Sequence, residues 1–442
     1  MKTAEIARYS SNRRFAAAKT RGVGIAGFGA WNRTWIFVLG VLCSIAPAMS
    51  AAQGAGEIWN GSWASSQQGT EFIGQPEADD FANATLRQFV HLSVGGHTLR
   101  VHLSNVFGVT PLQIETVHIA KAVSTPQCKI DAATDKQLTF SDQASVAIPP
   151  GAEYISDPVE FDSAPLSELA ITLYLEGPPT HQTGHPGSRT TSCIGPGNNA
   201  SSAEMPNAKK FERWFYISAV DVLSPPPAGS VVVLGDSITD GHATTTDGND
   251  RWTDVLAARL QSTPSLKNLG VLNQGIGGNH LLIDGIGPNA VSRIDRDVLA
   301  QTGVRYLIVL EGINDLGGLT RTGPVSPLEH QALVQRMIEA YQQIVTQAHA
   351  HGIHVFGATV MPDSGSDYYH PDASNEQDRQ AVNAWIRAAG HFDAVIDLDK
   401  VTADPSHPDR LAPQFDSGDH LHPGPAGYKA MGEAVPLTLF RP

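Results

Sequence analysis

The chain has 442 residues, more than one ordinary core accommodates and enough for two domains. Its 44 acidic against 30 basic residues give a formal net charge of −14. That balance excludes a surface built to hold nucleic acid or anionic lipid through charge. With 3 cysteines the chain is not a disulfide scaffold.

Residues 1–52 read as a targeting segment. They hold seven Lys/Arg and one acid, then the apolar run 35–42, then the small residues 46–51. The order basic, apolar, small is that of a secretory signal, and the apolar run is short for a bilayer span. Arg13-Arg14 raises a twin-arginine export signal, but the long gap to the apolar run favours two ordinary basic residues. Leu42 stands before Cys43 where a lipoprotein signal wants a small residue, so no lipid anchor is expected. Removal of this segment leaves 23 basic and 43 acidic residues, a net charge of about −20. The expected location is secreted or periplasmic, with no stable membrane anchor and no nucleic-acid partner. In such an oxidising compartment Cys128 and Cys193 can pair; the alternative is two separate buried thiols.

Residues 53–223 read as a β-rich accessory domain. Val90, Leu92 and Val94 alternate with polar residues, Gly95-Gly96 turns the chain, and Leu99, Val101 and Leu103 alternate again, which predicts a hairpin. Further strands are expected at 146–148 and 169–175. No long helical period appears, so an all-β sandwich or jelly-roll is predicted. Trp59, Trp63 and Trp214 raise a sugar-binding platform, though strand aromatics are more often core.

Residues 224–230, Ser-Pro-Pro-Pro-Ala-Gly-Ser, form a stiff linker. Across 231–442 strands (231–234, 271–273, 306–310, 354–360, 394–398) alternate with helical stretches (251–260, 328–351, 376–389). Leu333, Met337, Ala340, Ile344 and Val345 share a helical spacing. This alternation predicts an α/β fold with a doubly wound, mostly parallel, flavodoxin-like sheet.

Four blocks each follow a predicted strand. They are Gly235-Asp236-Ser237, the glycine block 273–279, Glu311-Gly312-Ile313-Asn314-Asp315, and Asp419-His420-Leu421-His422-Pro423. Acyl transfer needs a nucleophile, a base that takes its proton, and donors for the charge developing on the carbonyl oxygen. Ser237 is the candidate nucleophile, His422 the base, and Asp419 the carboxylate that orients it.

In kind and order these blocks resemble the GDSL, or SGNH, hydrolase family, over the second half of the chain. The resemblance implies an SGNH fold and a carboxylic ester hydrolase without cofactor or metal. It also implies three oxyanion donors: the N–H groups of Ser237 and Gly278 and the side-chain amide of Asn314, with Gly277 as the alternative glycine. In that pattern the histidine three after the aspartate acts, so His420 is a neighbour; Asp236, adjacent to the nucleophile, is expected to point elsewhere and anchor the loop. His349, His351 and His354 share no helical face, and Asp240, Asp247 and Asp250 lack regular ligand spacing; neither set reads as a metal site.

Segments 99–105 and 156–158, with Gly312–Asp315 and Gly418–Pro423, are also similar to a bacterial subgroup of arylesterases and carbohydrate deacetylases. A secreted serine esterase for short acyl esters, acetyl above all, on carbohydrate or aryl alcohols is therefore expected. A lipase or thioesterase, or a glycan-binding protein with secondary esterase activity, stand as alternatives. All catalytic candidates follow the linker, so 229–442 alone is expected to hydrolyse a small aryl acetate.

Overall fold

The computed structural model describes residues 56–69 and 76–441. The targeting segment, with Arg13, Arg14 and Cys43, lies outside the described residues. Gln53–Pro442 make one compact unit. No helix of the described residues is long and apolar enough to cross a membrane.

The first part is built from β1 (Ile58–Ala64), β2 (Ala84–His91), β3 (Gly96–Ser104), β4 (Thr116–Ser124), β5 (Glu168–Leu175), β6 (Thr191–Pro196) and β7 (Ile217–Ser224). All pair antiparallel. One sheet runs β1-β7-β3, and the other runs β6-β2-β5-β4, both extended by short strands. Val90 of β2, Leu99, Val101 and Leu103 of β3, Ile171 and Leu173 of β5, and Val220 and Val222 of β7 share one buried cluster, so the two sheets cover a common core. Each such side chain contributes about 1.5–3 kcal/mol by leaving water.

The predicted hairpin around Gly95-Gly96 does not form. β2 pairs with β5 and β6, whereas β3 pairs with β7, so the chain changes sheet between them. Alternation marked the second strand, but of the first segment only Val90 lies in a strand: Leu92 and Val94 are core residues of the crossover, and the partner is chosen by non-local burial. Segment 146–148 pairs with Leu112–Ile114 instead of joining either large sheet. Cys128 and Cys193 are disulfide-bonded, with Cα atoms 6.3 Å apart. Trp63 and Trp214 pack edge to face at 4.8 Å and are buried, while Trp59 lies under the Arg100 guanidinium, so these three form no open platform.

The second part carries β8 (Gly229–Gly235), α1 (Ser237–Asp240), α2 (Trp252–Gln261), β9 (Leu269–Gly275), β10 (Val304–Leu310), α3 (Ile313–Thr320), α4 (Pro327–Ala350), β11 (His354–Ala358), α5 (Ala373–Arg387), β12 (Ala394–Ile396), α6 (Leu398–Thr402) and α7 (Pro425–Ala434). The five strands form a sheet in the order β9-β8-β10-β11-β12, parallel throughout. β8 is buried along its whole length, the reason it reads as an unbroken aliphatic run. Helix α4 buries Leu333, Met337, Ala340, Tyr341 and Ile344; Ser326 and Glu329 cap its start. Helix α5 begins three residues earlier than periodicity suggests, because the Asp372 carboxylate accepts the N–H groups of Ser374 and Asn375.

The proline-rich stretch shrinks to residues 225–228, since Ser224 ends β7 and Gly229-Ser230 begin β8. Strand β1 lies against β9 so closely that a Cβ on Gly270 would overlap the Gly61 carbonyl oxygen. The Gly61 N–H also donates to the Ser230 hydroxyl at 3.1 Å.

Candidate active site

Strand β8 ends at Gly235, and Asp236 turns the chain into α1. The Asp236 carboxylate accepts the Ile238 N–H at 2.9 Å, so this residue caps the turn and leaves the cleft to Ser237. The Ser237 hydroxyl lies 2.8 Å from Nε2 of His422. The other ring nitrogen, Nδ1, lies 2.7 Å from Oδ2 of Asp419. A carboxylate only accepts, so Nδ1 carries the proton and Nε2 is free to take the serine proton. The second oxygen of Asp419 accepts the backbone N–H groups of His422 and Leu421 at 2.8 and 3.0 Å. Partial burial pushes this carboxyl up, but the His422 ring and these amides outweigh it and hold Asp419 well below the usual carboxylate range. It is ionised at any pH where the protein works.

Beside this chain lie the candidate oxyanion donors. Gly275 donates to the Asn273 side chain at 2.9 Å, so its N–H is occupied. The N–H groups of Ser237, Gly277 and Gly278 have no acceptor among the described residues. Gly278 has φ +69°, a conformation glycine adopts without strain. Asn314, at the start of α3, is buried. Its amide donates to the Asn279 carbonyl at 2.6 Å, which leaves one N–H for a ligand.

Behind these groups sits a buried polar layer that no motif announced. Arg293 donates to the carbonyls of Gly235 and Gln274 at 3.0 and 2.7 Å and to the Asn279 side chain at 2.8 Å. It thereby ties the ends of β8 and β9 to the glycine block. Asp315 accepts the N–H groups of Leu281 and Leu282, holding the loop that follows. Burial pushes Asp236 up to about 7 and also raises Glu311 and Asp315; the three carboxyls repel one another around the single Arg293 guanidinium.

His242 was also missed. Its ring packs on that of His422 with centroids 4.0 Å apart, and its Nε2 lies 4.0 Å from Asp419. Burial, then the neighbouring His422 and Arg189, press its pKa down to about 4, so it is neutral at pH 7. Arg189 comes from the first part of the chain. Its loop is held by Asp247, which accepts the Thr191 N–H and hydroxyl at 2.7 and 2.8 Å. His185 of the same region bonds Asp240 at 2.8 Å.

The remaining sequence candidates sit elsewhere. His420 turns to Asp416 at 2.5 Å. His349 and His354 flank Asp393, while His351 bonds the Gln347 carbonyl. Among the described residues one trio has metal-ligand proximity, His242, Asp419 and His422, but both ring nitrogens of His422 are already engaged within the serine chain.

The sheet thus carries Ser237 at the end of its second strand in spatial order, facing the Asp419/His422 pair that follows its last strand. Residues 233–430 match the model of the GDSL-like lipase/acylhydrolase family. Among solved structures, a lipolytic protein of the G-D-S-L family from Desulfitobacterium hafniense DCB-2 is 24% identical, with 47% of this chain and 97% of that chain covered and a TM-score of 0.35. A lipase/acylhydrolase from Enterococcus faecalis is 21% identical, covering 47% and 93%, with a TM-score of 0.36. An acetyl xylan esterase, AlAXEase, is 20% identical, covering 47% and 97%, with a TM-score of 0.36. No curated protein matches the sequence.

Proposed function

We propose that this protein is a serine esterase in which Ser237, His422 and Asp419 act as a triad. The observation that carries the reading is the unbroken hydrogen-bonded chain from the Ser237 hydroxyl through His422 to Asp419. Ser237 Oγ attacks the ester carbonyl carbon while its proton passes to Nε2 of His422. Negative charge collects on the carbonyl oxygen, where the N–H groups of Ser237 and Gly278 and the amide of Asn314 receive it. The bond to the alcohol oxygen then breaks, and that oxygen leaves with the proton from His422. Water repeats the sequence on the acyl-enzyme, giving the carboxylic acid and free Ser237.

The substrate in this reading is a short-chain ester, acetyl above all, on a carbohydrate or aryl alcohol. Its support is the subgroup resemblance and a sequence without a long apolar lid segment. Export from the cytoplasm is part of the same reading, supported by the basic-apolar-small segment 1–52 and the Cys128–Cys193 bond. A two-sheet sandwich is the architecture we assign to the accessory region. A second reading, hydrolysis of longer acyl chains, is favoured by Ile283 and Ile286. Both are exposed, and Ile286 borders Gly278. Rates on p-nitrophenyl acetate, butyrate and octanoate decide between them: the first reading expects acetate fastest, and a rise toward octanoate overturns it.

A further inference from the structure

The Asn314 side chain can face the substrate in two ways, since rotation by half a turn exchanges its oxygen and its nitrogen. Only one of them presents an N–H. The Asn279 carbonyl selects between them, and the Tyr369 hydroxyl backs the orientation selected. The Tyr369 hydroxyl lies 2.6 Å from Oδ1 of Asn314. The Asn279 carbonyl, which can only accept, lies 2.6 Å from Nδ2. Flipping the amide would set its oxygen against the Asn279 carbonyl oxygen and lose that bond, and the Tyr369 hydroxyl would have to turn from donor to acceptor. Tyr369 itself is buried at 4% exposure. Its ring rests on Gly317 of α3 so tightly that a methyl there would overlap it, and Tyr368 packs edge-on at 4.7 Å. Burial, reinforced by Tyr368, holds the phenol above its ordinary value, so it remains a donor across the working range of the enzyme.

We propose that Tyr369 is a positioning residue for the oxyanion site: by donating to Asn314 Oδ1 against the Asn279 carbonyl, it locks the amide with its free N–H directed at the reacting carbonyl oxygen. The clamp rests on the esterase reading given above. Asn279 is held from behind by Arg293, whose Nη2 lies 2.8 Å from its side-chain oxygen. The amide is therefore oriented before substrate arrives, and the transition state does not bear the cost of reorganisation.

The test is a cycle of Y369F, N314A and the double variant on p-nitrophenyl acetate. Phenylalanine keeps the ring packing and removes only the donor. Y369F is expected to lower kcat about five- to tenfold, the scale of one hydrogen bond, with KM unchanged within about twofold. The double variant is expected to be no slower than N314A, because Tyr369 acts only through that amide. An additive loss would show a general structural role and overturn the clamp, as would Y369F with parental kcat while N314A is impaired. Parental kcat in N314A would instead sink the oxyanion reading itself, and the clamp with it. G317A is the second variant: its methyl displaces the Tyr369 ring and should give the same loss confined to kcat. Parental kcat in G317A would again refute the clamp.

Discussion

At the scale of single residues the site separates chemistry from support. Ser237→Ala should abolish esterase activity and leave the thermal midpoint within a few degrees, because among the described residues the hydroxyl bonds only His422. Activity within tenfold of the parent, measured on p-nitrophenyl acetate, would exclude Ser237 as nucleophile. Asn314→Ala should lower kcat by about 10²–10³ with little change in KM, since the amide binds charge that exists only in the transition state. A raised KM at constant kcat would make Asn314 a ground-state contact.

Asp363 offers a pH prediction away from the chemistry. It is 5% exposed, and burial pushes its carboxyl up to about 7, with Arg379 opposing and Glu376 adding. In the unfolded chain this group titrates near 3.9. Its folded form resists ionisation, so its contribution is intact below about pH 4 and is lost as pH rises toward 7. Asp363→Asn should therefore flatten the fall in stability between pH 5 and pH 8 by roughly 2 kcal/mol. Urea unfolding of parent and variant at both values checks this, and identical slopes would refute it.

At the scale of elements the site depends on how strand ends are tied together. Arg293 joins the ends of β8 and β9 to Asn279 and pairs with Asp297, and both partners are almost wholly buried. Arg293→Met should cost about 3–5 kcal/mol, because it leaves Asp297 and Glu311 buried with less compensation. Urea titration would show it; a loss under 1 kcal/mol would mean that water or Arg296 replaces the guanidinium. The elements themselves were largely legible. The aliphatic run of β8, the 3.6-residue spacing in α4 and the turn residues at strand ends are local signals, and the structure follows them. Strand pairing was not local. The pattern around Gly95-Gly96 looks like a hairpin because alternation records burial of one face, yet it carries no record of which strand lies alongside.

At the scale of the whole molecule, the first part does more than precede the hydrolase. Ser66 bonds Gln274 and Asp297 at 2.7 and 2.8 Å, His185 bonds Asp240, and the Ser188 carbonyl accepts from Arg251. The expectation that 229–442 suffices for a small aryl acetate is revised accordingly. That fragment should lose activity on the aryl acetate and on an acetylated glycan alike, since the layer beneath the nucleophile is shared. Full aryl acetate activity in the purified fragment would restore the earlier view. EDTA should leave the intact enzyme unaffected, because both nitrogens of His422 are committed to Ser237 and Asp419. Loss reversed by a divalent ion would contradict the metal-free mechanism.

What the sequence determined by itself is the set of groups proposed to do the chemistry. Ser237, Gly278, Asn314, Asp419 and His422 lie within short blocks, the first three just after predicted strands, where backbone conformation is dictated locally. Only the tertiary structure decided what holds them. Tyr369, Arg293, His242 and Arg189 stand in segments without motif, and each matters through a partner more than fifty positions away or through a packing contact. Local steric and hydrogen-bonding preferences act over a few residues and so leave a mark in the sequence. Burial and long-range pairing depend on which surfaces finally meet, and that is settled only when the chain has closed on itself.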